Sequence, residues 1–199
     1  MRNNIFLNET LRCGAIMGIL MSASTMFETY VIYYSDFALT KAAICYFVEW
    51  VVLSIIYVWL LYRFCRKYSV NNFDSSVGFD FGQGFGFVIT LTLFVAIMVG
   101  VTTTIFQSVM GFDEFINGYI ARVDELVAYM GANNIAMNSM EEPLAELRDN
   151  IRAFTQPSML ENIFAAIYSY VFTGIFIGLI IAAALRRKPV IVERNENEE

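Results

Sequence analysis

Residues 111–158, GFDEFINGYIARVDELVAYMGANNIAMNSMEEPLAELRDNIRAFTQPS, form the one long polar interval in an apolar chain, and their reading decides the fold. Phe112, Phe115, Ile116, Tyr119, Ile120, Val123, Leu126, Val127 and Met130 recur at spacings of three and four, which places them on one face of a helix. Gly131 is its expected end. A second helix is predicted to open at Ser139, whose hydroxyl caps the amide of Glu142 while that carboxylate reaches back; Pro143 falls in the tolerated first turn. Met140, Leu144, Leu147, Ile151 and Phe154 then alternate steps of four and three, a narrow seam suited to one partner helix. Thr155 to Pro157 close this helix, and Ser158 with Glu161 repeats the capping box at the start of the next apolar segment. The interval reads as an amphipathic helical hairpin. Its apolar faces close on each other, or the seam from Met140 to Phe154 pairs with another subunit.

Outward from the hairpin lie four apolar segments, Gly14 to Tyr34, Ala42 to Tyr62, Phe87 to Met110 and Met159 to Leu185. Each exceeds the roughly 20 helical residues that cross a bilayer. With 57% hydrophobic and 16% charged residues over 199 positions, the chain is a single all-α integral membrane domain with four transmembrane helices, the hairpin standing between spans three and four. Arg2 and Arg12, then Arg63, Arg66 and Lys67, then Arg186, Arg187, Lys188 and Arg194 share one side; Lys41, Arg122, Arg148 and Arg152 fall on the other. The excess of bases predicts cytoplasmic termini, an extracytoplasmic hairpin and a cytoplasmic acidic tail over 189–199. Tyr33 and Tyr34 are expected at the outer border, Tyr62 and Tyr68 at the inner one. Ser22-Ala23-Ser24 offers small residues for signal cleavage, but apolar character continues to Tyr34, so an uncleaved first span is expected.

The formal charge of −6 is concentrated in the hairpin and the tail. Eight acids against three bases in the hairpin argue against nucleic acid and against an anionic lipid surface as partners. Cys13, Cys45 and Cys65 read as reduced packing residues. The chain has no histidine, no Gly-x-Ser-x-Gly turn and no cluster with metal-ligand spacing. A non-enzyme without cofactor or metal is therefore expected, with the lipid bilayer and a homo-oligomer or another membrane subunit as partners.

Small residues recur every fourth position in two spans: Gly14, Gly18 and Ser22 in the first, Gly174, Gly178 and Ala182 in the fourth. Gly18 and Gly178 fall at about the same depth, which predicts close packing of spans one and four, or a dimer seam. In Gly78-Phe-Asp-Phe-Gly-Gln-Gly-Phe-Gly86 no strand precedes the glycines and no Lys-Ser or Lys-Thr follows, so a phosphate loop is rejected. Phe79, Phe81, Phe85 and Phe87 are expected at the membrane interface, with the glycines allowing close helix contact.

The carboxylates deep inside the spans are Glu28, six residues before Tyr34, and Glu49, seven after Ala42. At 1.5 Å per residue both lie roughly 10 Å inside the outer boundary. Thr102, Thr103 and Thr104 reach a similar depth, and Tyr168 and Ser169 approach it. An intramembrane carboxylate costs on the order of 2 to 3 kcal/mol. Two close together do not both stay ionised, which points to a shared proton or cation. Glu28, Glu49, Thr102, Thr103, Thr104 and Ser169 are thus candidates for an ion or proton site; a water-filled vestibule under the hairpin that hydrates the carboxylates, or structural polar contacts between helices, are the alternatives.

Arg63-Phe-Cys-Arg-Lys-Tyr68, then Phe79-Asp-Phe-Gly-Gln-Gly-Phe-Gly-Phe87 entering a span, an acidic helical insert, and a last span closing on Arg186-Arg-Lys-Pro189 form a recognisable layout. It resembles the four-span inner-membrane family of Bacteroidota known as domain of unknown function 4199, from about Cys13 to Pro189. The resemblance implies fold and membrane location, and no activity. The first functional expectation is an assembly or accessory subunit acting through the hairpin and the small-residue grooves. The alternative is a small proton or cation transporter or channel using the Glu/Thr belt.

Overall fold

The computed structural model describes residues 2–74, 76–132 and 141–189. Its helices are α1 (Arg2–Thr29), continued by a π-helical turn (Tyr30–Tyr34), α2 (Leu39–Asn72), α3 (Phe81–Met110), α4 (Phe112–Ala132), α5 (Glu141–Arg152) and α6 (Met159–Leu185). Four of them, those ending at Tyr34, Asn72, Met110 and Leu185, are long and apolar enough to cross a bilayer. The spans extend further than hydropathy alone marks: α1 and α2 carry their basic residues as continuous helix beyond the apolar core. No β-strand occurs among the described residues; one antiparallel bridge joins Phe79 to Arg187.

The bundle is built around α3, which packs most extensively against α6 and next against α1, while α2 lies at the periphery. The two small-residue series do not meet each other. Among the described residues, the backbones of α1 and α6 nowhere come together. A Cβ on Gly14 would stand 2.9 Å from Cβ of Phe94, and one on Gly18 would collide with Met98, both in α3. On the opposite side of α3, Gly174 lies over Thr92, Gly178 over Val88 and Ala182 over Gly84. The predicted contact of spans one and four is therefore replaced by two contacts with span three. Sequence spacing locates a groove but does not say which helix fills it; α3 has its own small positions, Gly84 and Gly100, where a neighbour can approach closely.

At the basic end, Phe79 and Phe87 are fully buried rather than at the interface. They form an aromatic cluster with Phe6, Tyr68 and Phe73, in which Tyr68 stacks on Phe87 at 4.5 Å. Tyr68, expected at the inner border, is part of this core. Gly78 has φ +71°, and a Cβ there would lie 2.7 Å from the Arg187 carbonyl oxygen, so glycine is what lets the chain turn against Arg187. The side chain of Asp80 accepts from the Gln83 amide at 2.8 Å, and Gln83 accepts from the Asp80 amide at 3.0 Å, a capping box that starts α3. Arg187 also donates to the Ser69 carbonyl (2.9 Å) and hydroxyl (2.7 Å), tying the end of α6 to α2.

At the opposite end, α4 docks onto the π-helical turn. Tyr33 packs on Phe115 at 4.6 Å and Tyr119 at 5.6 Å, and the Tyr34 hydroxyl donates to the Gly111 carbonyl at 3.0 Å. Both tyrosines grip the hairpin. α5 is joined to α4 by the Arg148–Asp124 ion pair at 2.5 Å. The predicted seam splits: Ile151 is buried and Leu144 half-buried, while Leu147 and Phe154 are exposed. The predicted cap at Ser139 and the seam residue Met140 lie outside the described residues. α4 continues through Gly131 to Ala132, and the Ser158–Glu161 capping box forms as expected.

Candidate functional site

The predicted carboxyl pair comes together. α1 and α2 run antiparallel through a short connection, so Glu28, near the end of α1, and Glu49, in the third turn of α2, reach one level. Ser24 and Glu28 stand one turn apart on one face of α1 and line the same cavity, which brings Glu28 into the neighbourhood of Glu49. Ser24, one turn before Glu28, donates its hydroxyl to Oε1 of Glu49. Two carboxylates are acceptors only, so a direct contact between them takes a proton or a cation. Oε2 of Glu49 is buried without a partner in the structure.

The pair faces a cavity of about 300 Å³ enclosed by α1, α2 and α6. Ser24, Thr25 and Glu28 line it from α1, Tyr46, Trp50, Ser54 and Tyr57 from α2, and Ser169, Tyr170 and Thr173 from α6. Glu49 is not itself a wall residue; it meets the cavity through Ser24 and Glu28. Tyr57, 5% exposed, has a hydroxyl without a hydrogen-bond partner, and its ring meets that of Tyr170 edge-on at 6.0 Å. Tyr170 and Thr25 face each other across the cavity wall, from helices whose backbones stay apart. Ser169 and Thr173 are exposed on the outer surface of α6, so the cavity opens sideways between α2 and α6.

The belt of polar groups is not continuous. Of its predicted members Ser169 lines the cavity with Glu28, but the three threonines of α3 do not. Thr102 donates to the Met98 carbonyl (2.8 Å) and Thr104 to the Gly100 carbonyl (3.0 Å), within their own helix. Thr103 is half-buried and is no part of the cavity wall. Tyr168 points outward at 75% exposure, stacked on Phe172. Equal depth put these residues on one level; rotation about each helix axis, which depth does not fix, separated them. A second polar group forms where Asn162 of α6 donates to Thr104 Oγ1 (3.0 Å) and Gln107 Oε1 (3.2 Å) of α3. It closes on itself as a helix-to-helix contact.

Sequence reasoning missed Tyr46, Trp50, Tyr57 and Tyr170. Their signal was available in outline: Tyr46, Trp50 and Tyr57 recur along α2 at steps of four and seven around Glu49, one face of that helix. In a span where every position is apolar, that face carried no contrast.

A family model described as protein of unknown function (DUF4199) matches residues 12–187. No curated protein and no solved structure matches the chain. The match spans the four helices from the first turns of α1 to the Phe79–Arg187 bridge. The chain is a multi-pass membrane protein that belongs to this family, DUF4199, of proteins of unknown function.

Proposed function

We propose that this protein exchanges protons or small cations through the Glu28–Glu49 cavity, without enzymatic chemistry, in a bacterial inner membrane with both termini cytoplasmic and the hairpin outside. The observation that carries this reading is the placement of two carboxyl groups, linked through Ser24, within the membrane-crossing bundle beside an open cavity and the unpartnered hydroxyl of Tyr57. Two polar atoms of this cluster, Oε2 of Glu49 and the Tyr57 hydroxyl, are buried with no hydroxyl, amide or backbone partner among the described residues. The bases at the ends of α1, α2 and α6 support the orientation.

Proteoliposomes carrying the protein should pass protons or alkali cations above background, and the folded double variant Glu28→Gln with Glu49→Gln should fall to background. Equal traces for both proteins would remove the exchange reading. The second reading, an accessory subunit, is favoured by Leu147 and Phe154, exposed on the hairpin outside the spans. A scaffold tolerates the double substitution, so the same experiment separates the two.

A further inference from the structure

The cavity has more room than a bare ion fills. At roughly 30 Å³ for each water, about 300 Å³ holds on the order of ten waters, the space of a small organic molecule. Its wall is also not that of a metal site: no group of three or more His, Cys, Asp or Glu side chains able to hold a metal occurs among the described residues. Instead, Tyr46, Trp50, Tyr57 and Tyr170 present four aromatic rings around the carboxyl pair. Aromatic faces attract alkylammonium groups, which gain little from oxygen-lined ion cages.

The access route points the same way. Ser54 and Val58 line both this cavity and an apolar groove between α2 and α6 that runs on to Trp59 and Ile181. A molecule with an apolar body partitions into the bilayer and can enter along that groove; a hydrated inorganic ion cannot. No Lys or Arg lines the cavity to repel a cation or to neutralise the carboxyl pair.

We propose that the cavity binds a small organic monocation, an amine or quaternary ammonium with an apolar body, in exchange for the proton shared by Glu28 and Glu49. This rests on the exchange reading above and names its substrate class. The exchange balances in charge. With its proton the pair carries one negative charge; with the proton released and a monocation bound, the site again carries a net single negative charge. The titratable groups facing the site are Glu28 from α1, Glu49, Tyr46 and Tyr57 from α2, and Tyr170 from α6.

Trp50 lies in the wall, and the chain's other tryptophan, Trp59, can be replaced by phenylalanine to leave it as the single reporter. In lipid nanodiscs, titration of Trp59→Phe protein with benzyltrimethylammonium should change Trp50 emission saturably and release protons, up to one per chain. Apparent affinity should fall by up to tenfold per unit decrease in pH where one proton replaces one cation. The neutral isostere neopentylbenzene should give no saturable change, and Glu28→Gln with Glu49→Gln should abolish the response. If that variant is not monodisperse, Tyr46→Leu replaces it, with an expected loss of about threefold to thirtyfold in affinity. A neutral isostere that binds as well as the cation, or variants that titrate like the parent, would overturn the proposal. Proton or sodium flux with no response to benzyltrimethylammonium would leave the exchange site standing and refute its substrate class. Absence of flux, proton release and binding together would refute both.

Discussion

Arg122→Ala is expected to release the hairpin from the bundle, with a loss of about 2 to 4 kcal/mol in stability, given roughly 1.5 to 3 kcal/mol for a hydrogen bond to a charged group. The guanidinium of Arg122, only 11% exposed, donates to the carbonyls of Ile32 (2.6 Å), Ser35 (2.8 Å) and Phe37 (2.5 Å), and pairs with Glu125 at 2.8 Å. The last carbonyls of a helix have no partners within it, and the π-helical turn brings those of the α1 end to the surface of α4. One planar fork answers several of them together. Arg122→Lys should recover only part of the loss, because an ammonium cannot reproduce the fork. Thermal unfolding in detergent, together with the rate of limited proteolysis within residues 111–158, measures the effect. Unchanged proteolysis in Arg122→Ala would show that the aromatic contacts of Tyr33 dock α4 unaided.

Gly100→Ala should be the most damaging single methyl at the α3–α6 contact. Its Cβ would stand 2.5 Å from Cα of Ile163 and 2.8 Å from the Ile163 amide nitrogen, so a helix backbone must move rather than a side chain. Gly174→Ala meets the Thr92 side chain at 2.8 Å, and Gly178→Ala meets Val88 at 3.2 Å; both neighbours can give way. Overpacking of this kind costs about 1 to 3 kcal/mol, and Gly100→Ala belongs at the upper end. Gly86→Ala, where a Cβ finds nothing within 4 Å, is the control. It should be neutral or stabilising by up to about 1 kcal/mol through helix propensity. Melting temperatures in the order Gly86→Ala, Gly178→Ala, Gly174→Ala, Gly100→Ala would support α3–α6 as the central contact. An inverted order would place that contact elsewhere.

The four spans were legible because composition alone carries them. So was the Ser158–Glu161 cap, which is local in sequence and forms as read. The Asp80–Gln83 box follows the same local rule but lies among glycines and phenylalanines that drew another reading. The meeting of Glu28 and Glu49 was legible from depth, since two antiparallel helices joined by a short connection bring equal depths together. Depth could not tell that Thr102 and Thr104 turn to their own helix, or that Tyr57 and Tyr170 turn inward. The hub position of α3 was hidden for the same reason: Gly14, Gly18, Gly174 and Gly178 declare grooves without naming Phe94, Met98, Thr92 and Val88 as what enters them. Arg122 gave no signal at all. Its partners are backbone carbonyls some 85 to 90 residues away, which every residue type supplies.

The account turns on a negatively charged, accessible cavity inside the bilayer, and thiol labelling at Thr173 tests it most directly. Cys45 is half-buried and would be replaced by alanine; Cys13 and Cys65 are buried and can remain. In lipid, Thr173→Cys should react with a trimethylammonium-ethyl methanethiosulfonate, and the sulfonate analogue should lag by about tenfold or more, as the field of the carboxyl pair concentrates cations. Ile180→Cys, on the outward surface of α6 at 72% exposure, should react with neither. Equal rates for the two reagents at Thr173→Cys, or no reaction there with either, would contradict the account.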